Sequence, residues 1–377
     1  MPEWTIYTLC PGGALHLGQR GVGQEETACY ASADTLLAAL VAAWTDAGGR
    51  GEDWGESFPQ RAKSVDPPFL LTSAFPYAEG VRFYPFPQID LAPLGVETDE
   101  RRKDLRQIVF VSEGVFRRIV TGESLASYLP PSEGNPGKGV FLQGKALWLT
   151  AEEVILLPEA MRSLRGQRKQ RPLRALRLAH VWKSTKVPRV TVDRISSASN
   201  LFHTGRVTFA PGCGLWFGVN WRRPAALLSD GVAWRAAFEQ ALSLLADSGL
   251  GGERTVGYGA FQWRNGGSVC WPSPAADAPY VTLSRYHPRP SEAPGAFTGD
   301  AVAYSLVAVA GYLQTPTGAA QRRRRLWLAA EGSVLRAVGD GPYGDLTDVR
   351  PQVGRFPHPV WRYGLACSVA VEEVRHA

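Results

Sequence analysis

Three groups of residues in this chain have types and spacings suited to chemistry: an early histidine, a glycine-rich loop with an arginine, and a long basic stretch. His16 follows a strand-like run, Trp4–Cys10, and the break Pro11-Gly12-Gly13. An imidazole there can contact a polyanion, or act as general acid or base in metal-independent RNA cleavage. A histidine satisfied inside a turn is the alternative. Gly249–Phe261 packs five glycines and Arg254 into thirteen residues. Glycines let a second backbone come close, and an arginine fork suits phosphate. If this loop binds an anion, bare backbone N–H groups and Arg254 must do it. The alternative is a structural turn where two segments cross.

The elements around the loop restrict its chemistry. In Val232–Asp247, Trp234, Phe238, Ala241 and Leu245 recur at helical spacing. Gly249 stands where a helix C-terminus favours a left-handed residue, and Thr255–Trp263 suits a strand. Helix, loop, strand is the reverse of a P-loop or dinucleotide fingerprint, which use a helix N-terminus. Tyr258 stands where a Walker lysine would follow Gly257, and Arg254 breaks a G-x-G-x-x-G pattern.

Charge is unevenly distributed. The net charge is +6, yet Ala160–Val192 holds ten Lys or Arg and no Asp or Glu, including Lys183 and Arg189. Such a run points to a polyanion, most naturally nucleic acid; basic, unstructured surface loops are the alternative. A second knot, Arg322-Arg323-Arg324-Arg325, precedes the strand-like Leu326–Ala329. Five cysteines lie singly, none at zinc-ligand spacing, which fits free thiols and predicts neither metal nor cofactor. There is no long apolar run, so no membrane span is expected. The acidic, strand-like N-terminus does not read as a signal peptide, and a cytoplasmic location is expected.

Along the chain the elements read as α+β. Trp4–Cys10 is a strand, Ser32-Ala33-Asp34 a helix cap, Thr35–Trp44 a helix, and Phe69–Phe75 an apolar run. Strands follow at Arg189–Val192, Val207–Ala210 and Leu215–Trp221, then the helix, the glycine loop and another strand. This order predicts a ferredoxin-like, RRM-like domain over 1–271, with a long insertion at about 95–186 and the glycine-rich loop at 249–259. A smaller, strand-rich, ferredoxin-like domain is expected over 280–377. Such a sheet is available to single-stranded RNA.

Six segments, in order, resemble a known family. Ala14–Gly18, Ala31–Leu36, Phe69–Tyr77, Pro188–Arg194 with Asn200-Leu201-Phe202, Gly249–Phe261, and Glu331–Ser333 with Tyr363–Ala366 resemble the landmarks of the fourth subunit of the Csm (type III-A CRISPR) effector complex. That subunit is a RAMP protein, and the resemblance spans nearly the whole chain. It implies a non-catalytic subunit that binds the 5′ handle of the guide RNA (crRNA). Its implied partners are a large Cas10-type subunit and a Csm backbone subunit. Residues expected at RNA are His16, Gly18, Arg20, Lys183, Arg189, Arg194, Asn200, Phe202, Gly249, Gly251, Gly252 and Arg254. Asp34 reads as a helix cap and Asp193 as an orienting partner for Arg189 or Arg194. Ser73-Ala74-Phe75 reads as a small-residue surface or a strand. The rival reading is a metal-independent endoribonuclease that processes guide precursors with His16.

Overall fold

Strand β1 (Glu3–Pro11) is the organising element, because its apolar residues are buried on both faces. The structure is a computed structural model, and it describes residues 1–18, 27–96, 98–130, 137–163, 170–192, 199–313, 321–351, 356 and 358–372. Helix α1 (Ala33–Asp46) follows. Ser32 caps it, its hydroxyl accepting from Thr35 N at 3.3 Å. Leu36, Leu37, Leu40, Ala43 and Trp44 form its buried stripe. Next come β2 (Phe69–Leu71), β3 (Phe75–Ala78), β10 (Cys213–Trp221), helix α2 (Trp234–Ser248) and β11 (Phe261–Cys270). The stripe expected on α2 is buried, and α2 packs against α1.

These strands lie in the order β11-β1-β10, with β2 and β3 sharing the far side of β10, and all their pairings are antiparallel. The segment between β3 and β10 widens the sheet with β4 (Val81–Pro85), β5 (Phe110–Ser112), β6 (Gly139–Leu142) and β7 (Leu147–Thr150). Among the described residues this makes a nine-stranded sheet, so the molecule is a mixed α/β protein.

The end of the basic stretch is a strand rather than a surface loop. It forms β8 (Trp182–Val192), paired along its whole length with β9 (Ser199–Phe209). Thr185, Val187, Val190, Thr191 and Val192 favour a strand, while Lys183 and Lys186 are exposed and Arg189 is half-buried.

The C-terminal part contains β12 (Pro279–Thr282), β13 (Leu306–Val309), β14 (Tyr312–Leu313), β15 (Gln321–Arg322), β16 (Leu326–Ala329), β17 (Val334–Arg336), β18 (Leu346–Asp348), β19 (Trp361–Tyr363) and β20 (Ser368–Ala370). It is strand-rich as expected. The ferredoxin-like expectation for it needs correcting: among the described residues from 280 onward there is no α-helix, only a 3-10 turn at Gly295–Phe297. Instead of closing its own helix-covered sheet, this part shares a core with the first. Val281, Leu283, Val334, Tyr363 and Leu365 join the cluster that holds β1 and β10.

Candidate nucleic-acid interface

The glycine loop crosses the segment that follows β1. At the end of α2, Gly249 N donates to Leu245 O at 2.8 Å, and Gly249 itself has φ +89°. Gly252 N then donates to His16 O at 2.8 Å, and Gly259 N to Ala14 O at 3.0 Å. The glycine at 251 is required twice over. Its φ is +98°, and a Cβ there would lie 2.3 Å from His16 O. A Cβ on Gly252 would lie 2.8 Å from the His16 ring.

Six of the loop amides are already occupied. Leu250, Gly252, Val256, Gly257, Tyr258 and Gly259 all donate to backbone carbonyls. The glycines serve close crossing, and an anion at this loop would be met mainly by side chains. Arg254 fits that role, being exposed at the groove's edge with no side-chain hydrogen bond or ion pair among the described residues.

His16 is pinned between two elements. Its Nδ1 lies 2.7 Å from Gly205 O in β9, and Leu15 bridges Val207 in the same strand. The carbonyl accepts a hydrogen bond from Nδ1–H, leaving Nε2 as the free ring nitrogen. The hairpin is thereby fixed beside the loop. Arg189 stands opposite Phe202, and its guanidinium sits 5.7 Å from the Tyr258 ring centroid. Lys183 is exposed near the hairpin base. Val190, Val192 and Leu201 are exposed at its outer end. Asn200 lies in β9 opposite Thr191, and Gly18 lines the groove. Arg20, Asp193 and Arg194 lie outside the described residues.

The groove, of about 630 Å³, runs from His16, Gly251 and Arg254 past the start of α1 to the C-terminal part. Arg285, Arg323 and Arg362 line its far side. Two of these are compensated. Arg362 donates from Nη1 to the buried Asp34 carboxylate, which also accepts from Tyr363 N at 3.2 Å. Asp34 is therefore no helix cap, a role Ser32 fills; it ties α1 to the C-terminal part. Arg285 lies 3.4 Å from Glu331. Burial opposes its charge, but Glu331 and Tyr30 outweigh burial and raise its pKa.

Arg323 has no such partner. Its Nε is buried without a hydrogen bond. Burial, then the neighbouring Arg362, hold its pKa below the usual arginine value despite Asp34. The sequence flagged the 322–325 run without locating it; only the fold brings Arg323 into the groove that His16 lines.

Several motif segments are structural. Ser73, Ala74 and Phe75 are fully buried, so they offer no RNA surface. Ser73 Oγ donates to Glu331 at 2.7 Å and accepts from Ala33 N at 2.9 Å. Tyr363 Oη accepts from Leu71 N at 2.9 Å. Among the described residues, no group of three or more His, Cys, Asp or Glu could hold a metal ion. No helix among them is long and apolar enough to cross a membrane.

Comparison with known proteins agrees with the resemblance read from the sequence. Residues 276–371 match the family model of the CRISPR Csm4 C-terminal domain. In fold, the chain is similar to a chain of the Csm3-Csm4 subcomplex of the type III-A CRISPR-Cas interference complex. The TM-score is 0.60 at 14% identity, covering 98% of this chain and 99% of that one. It is also similar to a chain of a Csm1-Csm4 cassette solved with cA4, with TM-score 0.54, 17% identity and 98% of each chain covered. No curated protein sequence matches significantly.

Proposed function

Starting from a chain whose residues 276–371 belong to the Csm4 C-terminal domain family, we propose that the whole works as the RNA-holding fourth subunit of a type III-A CRISPR effector complex. It binds the crRNA 5′ handle in the groove between His16, Arg254 and Arg323. The observation that carries this reading is the charge balance of the groove. Arg362 and Arg285 have carboxylate partners, whereas Arg323 and Arg254 have none among the described residues. A half-buried guanidinium beside a second one calls for an anion from outside. The neighbouring hairpin adds Lys183 and Arg189, with Phe202 and Tyr258 as faces on which a base can stack.

The N-terminal part, 1–271, is read as a ferredoxin-like RAMP domain with its insertion at about 95–186, and 280–377 as a second, strand-rich domain. The strand order β11-β1-β10-β3 and the two packed helices support the first assignment. A bridging role, between a large Cas10-type subunit and a Csm backbone subunit, is supported by similarity to chains from Csm1-Csm4 and Csm3-Csm4 assemblies. In this reading the complex is a cytoplasmic ribonucleoprotein and this subunit cuts nothing. His16 faces a backbone carbonyl at Nδ1 rather than a carboxylate, which suits a contact better than a general base. The test is incubation with handle-bearing single-stranded RNA without metal. The RNA should be retained intact. Cleavage by the wild type that His16→Ala abolishes would replace this reading with the endoribonuclease.

A further inference from the structure

The arginine run 322–325 lines two separate cavities. Between β15 and β16 the chain is extended. Arg323 N donates to Gly311 O at 2.9 Å and Arg324 N to Val349 O at 3.1 Å. Arg323 enters the groove described above. Arg324 and Arg325 line a second cavity, of about 760 Å³, with Arg61, His287, Asp345 and Thr347. We propose that this second cavity is a phosphate-binding site, taking a phosphate group from either an RNA chain or a small free phosphate.

The site is assembled around a histidine held in one orientation. Asp345, almost fully buried, lies 2.8 Å from His287 Nδ1 and accepts from Thr347 Oγ1 at 2.7 Å. Its carboxylate accepts a hydrogen bond from Nδ1–H, so Nε2 is the ring nitrogen left for a ligand. The backbone is fixed as well. His287 N donates to Gly364 O at 2.9 Å, and a Cβ on Gly364 would lie 2.5 Å from that of His287.

The surrounding charge is positive and mostly unspent. Arg61 and Arg325 are exposed and have no hydrogen bond or ion pair among the described residues. Arg324 donates from Nη2 to the Asp348 carbonyl, which carries no full charge. Asp345 is the carboxylate lining the cavity, and His287 and Thr347 occupy it. Guanidinium forks converging on such a space match the oxygens of a phosphate. None of these residues lines the first groove, so the site stands independently of the handle reading.

Hydrogen–deuterium exchange on the full chain tests this, with pyrophosphate and a short single-stranded RNA as separate probes. Exchange over 285–290 and 345–349 should slow with at least one probe. The double variant Arg61→Ala/Arg325→Ala, changed at two exposed positions, should need about a hundredfold more of it, about tenfold per charged contact. Slowing by RNA alone assigns the phosphate to a chain, by pyrophosphate alone to a free ligand, and by both to the shared group. No slowing in the wild type, or an unchanged response in the double variant, overturns the proposal. Arg254→Ala serves as the control. It should weaken RNA at the glycine loop and leave pyrophosphate at 285–290 untouched, so failure of one site is read separately from failure of the other.

Discussion

The glycine crossing and the β8–β9 hairpin lie side by side and are built on opposite terms. In the crossing, backbone meets backbone, and most loop amides already have carbonyl partners. Nothing larger than hydrogen fits at Gly251. In the hairpin, most of β8 faces water. A closed crossing can fix geometry but has little left to offer a ligand. An open arm can offer charge and aromatic faces but cannot fix its own position. His16 joins them, its carbonyl tied to the loop and its ring to the arm. The contrast predicts that substitutions on the packed side change stability, while those facing the groove or the arm change binding.

The largest effect is expected at the junction. Asp34→Ala leaves Arg362 buried and unpaired, which should cost about 3–5 kcal/mol in chemical denaturation. Gly251→Val follows, at about 3 kcal/mol, because a branched side chain must enter a left-handed conformation against His16 O. A wild-type denaturation midpoint for Gly251→Val would break the comparison outright. Arg323→Ala should behave in the opposite way. Its charge is disfavoured by the fold, so the denaturation curve should not shift to lower denaturant, while RNA affinity should fall about tenfold. Smallest are Arg254→Ala and Lys183→Ala, each an exposed contact. Each should weaken RNA about threefold and make the log affinity against log salt slope shallower by about 0.7, as for one phosphate on a single strand. Unchanged slopes would remove both side chains from the phosphate path.

Much of the first part's fold was legible in the sequence because its signals are local. The helical stripe of α2, the Ser32 cap and the alternation in β1 depend on neighbours a few residues away. The glycine loop was legible as a place of close approach, but not which backbone approaches, because Gly251 and His16 are 235 positions apart. The groove was half legible. His16 and Arg254 were singled out by type, whereas Arg323 was one of four equivalent arginines. Only pairing of the flanking strands decides which of them faces inward. Asp34 was misread for a related reason. A carboxylate at a helix start is an ordinary local cap, and nothing nearby announces Arg362. The C-terminal part was least legible, since its short strands close against the first part's core rather than over helices of their own.

The Asp34–Arg362 pair also sets a schedule. The two residues are 328 positions apart. On a ribosome adding 5–20 residues per second, about 15–65 seconds separate their synthesis. For that interval α1 carries a carboxylate whose partner does not yet exist, and Leu71 N waits somewhat less, across 292 positions, for the Tyr363 hydroxyl. The groove can take its final shape only after nearly all of the chain has emerged. A nascent or truncated chain ending before 362 would hold Arg285 and Arg323 but lack Arg362, so the far side of the groove would be incomplete until synthesis is almost finished.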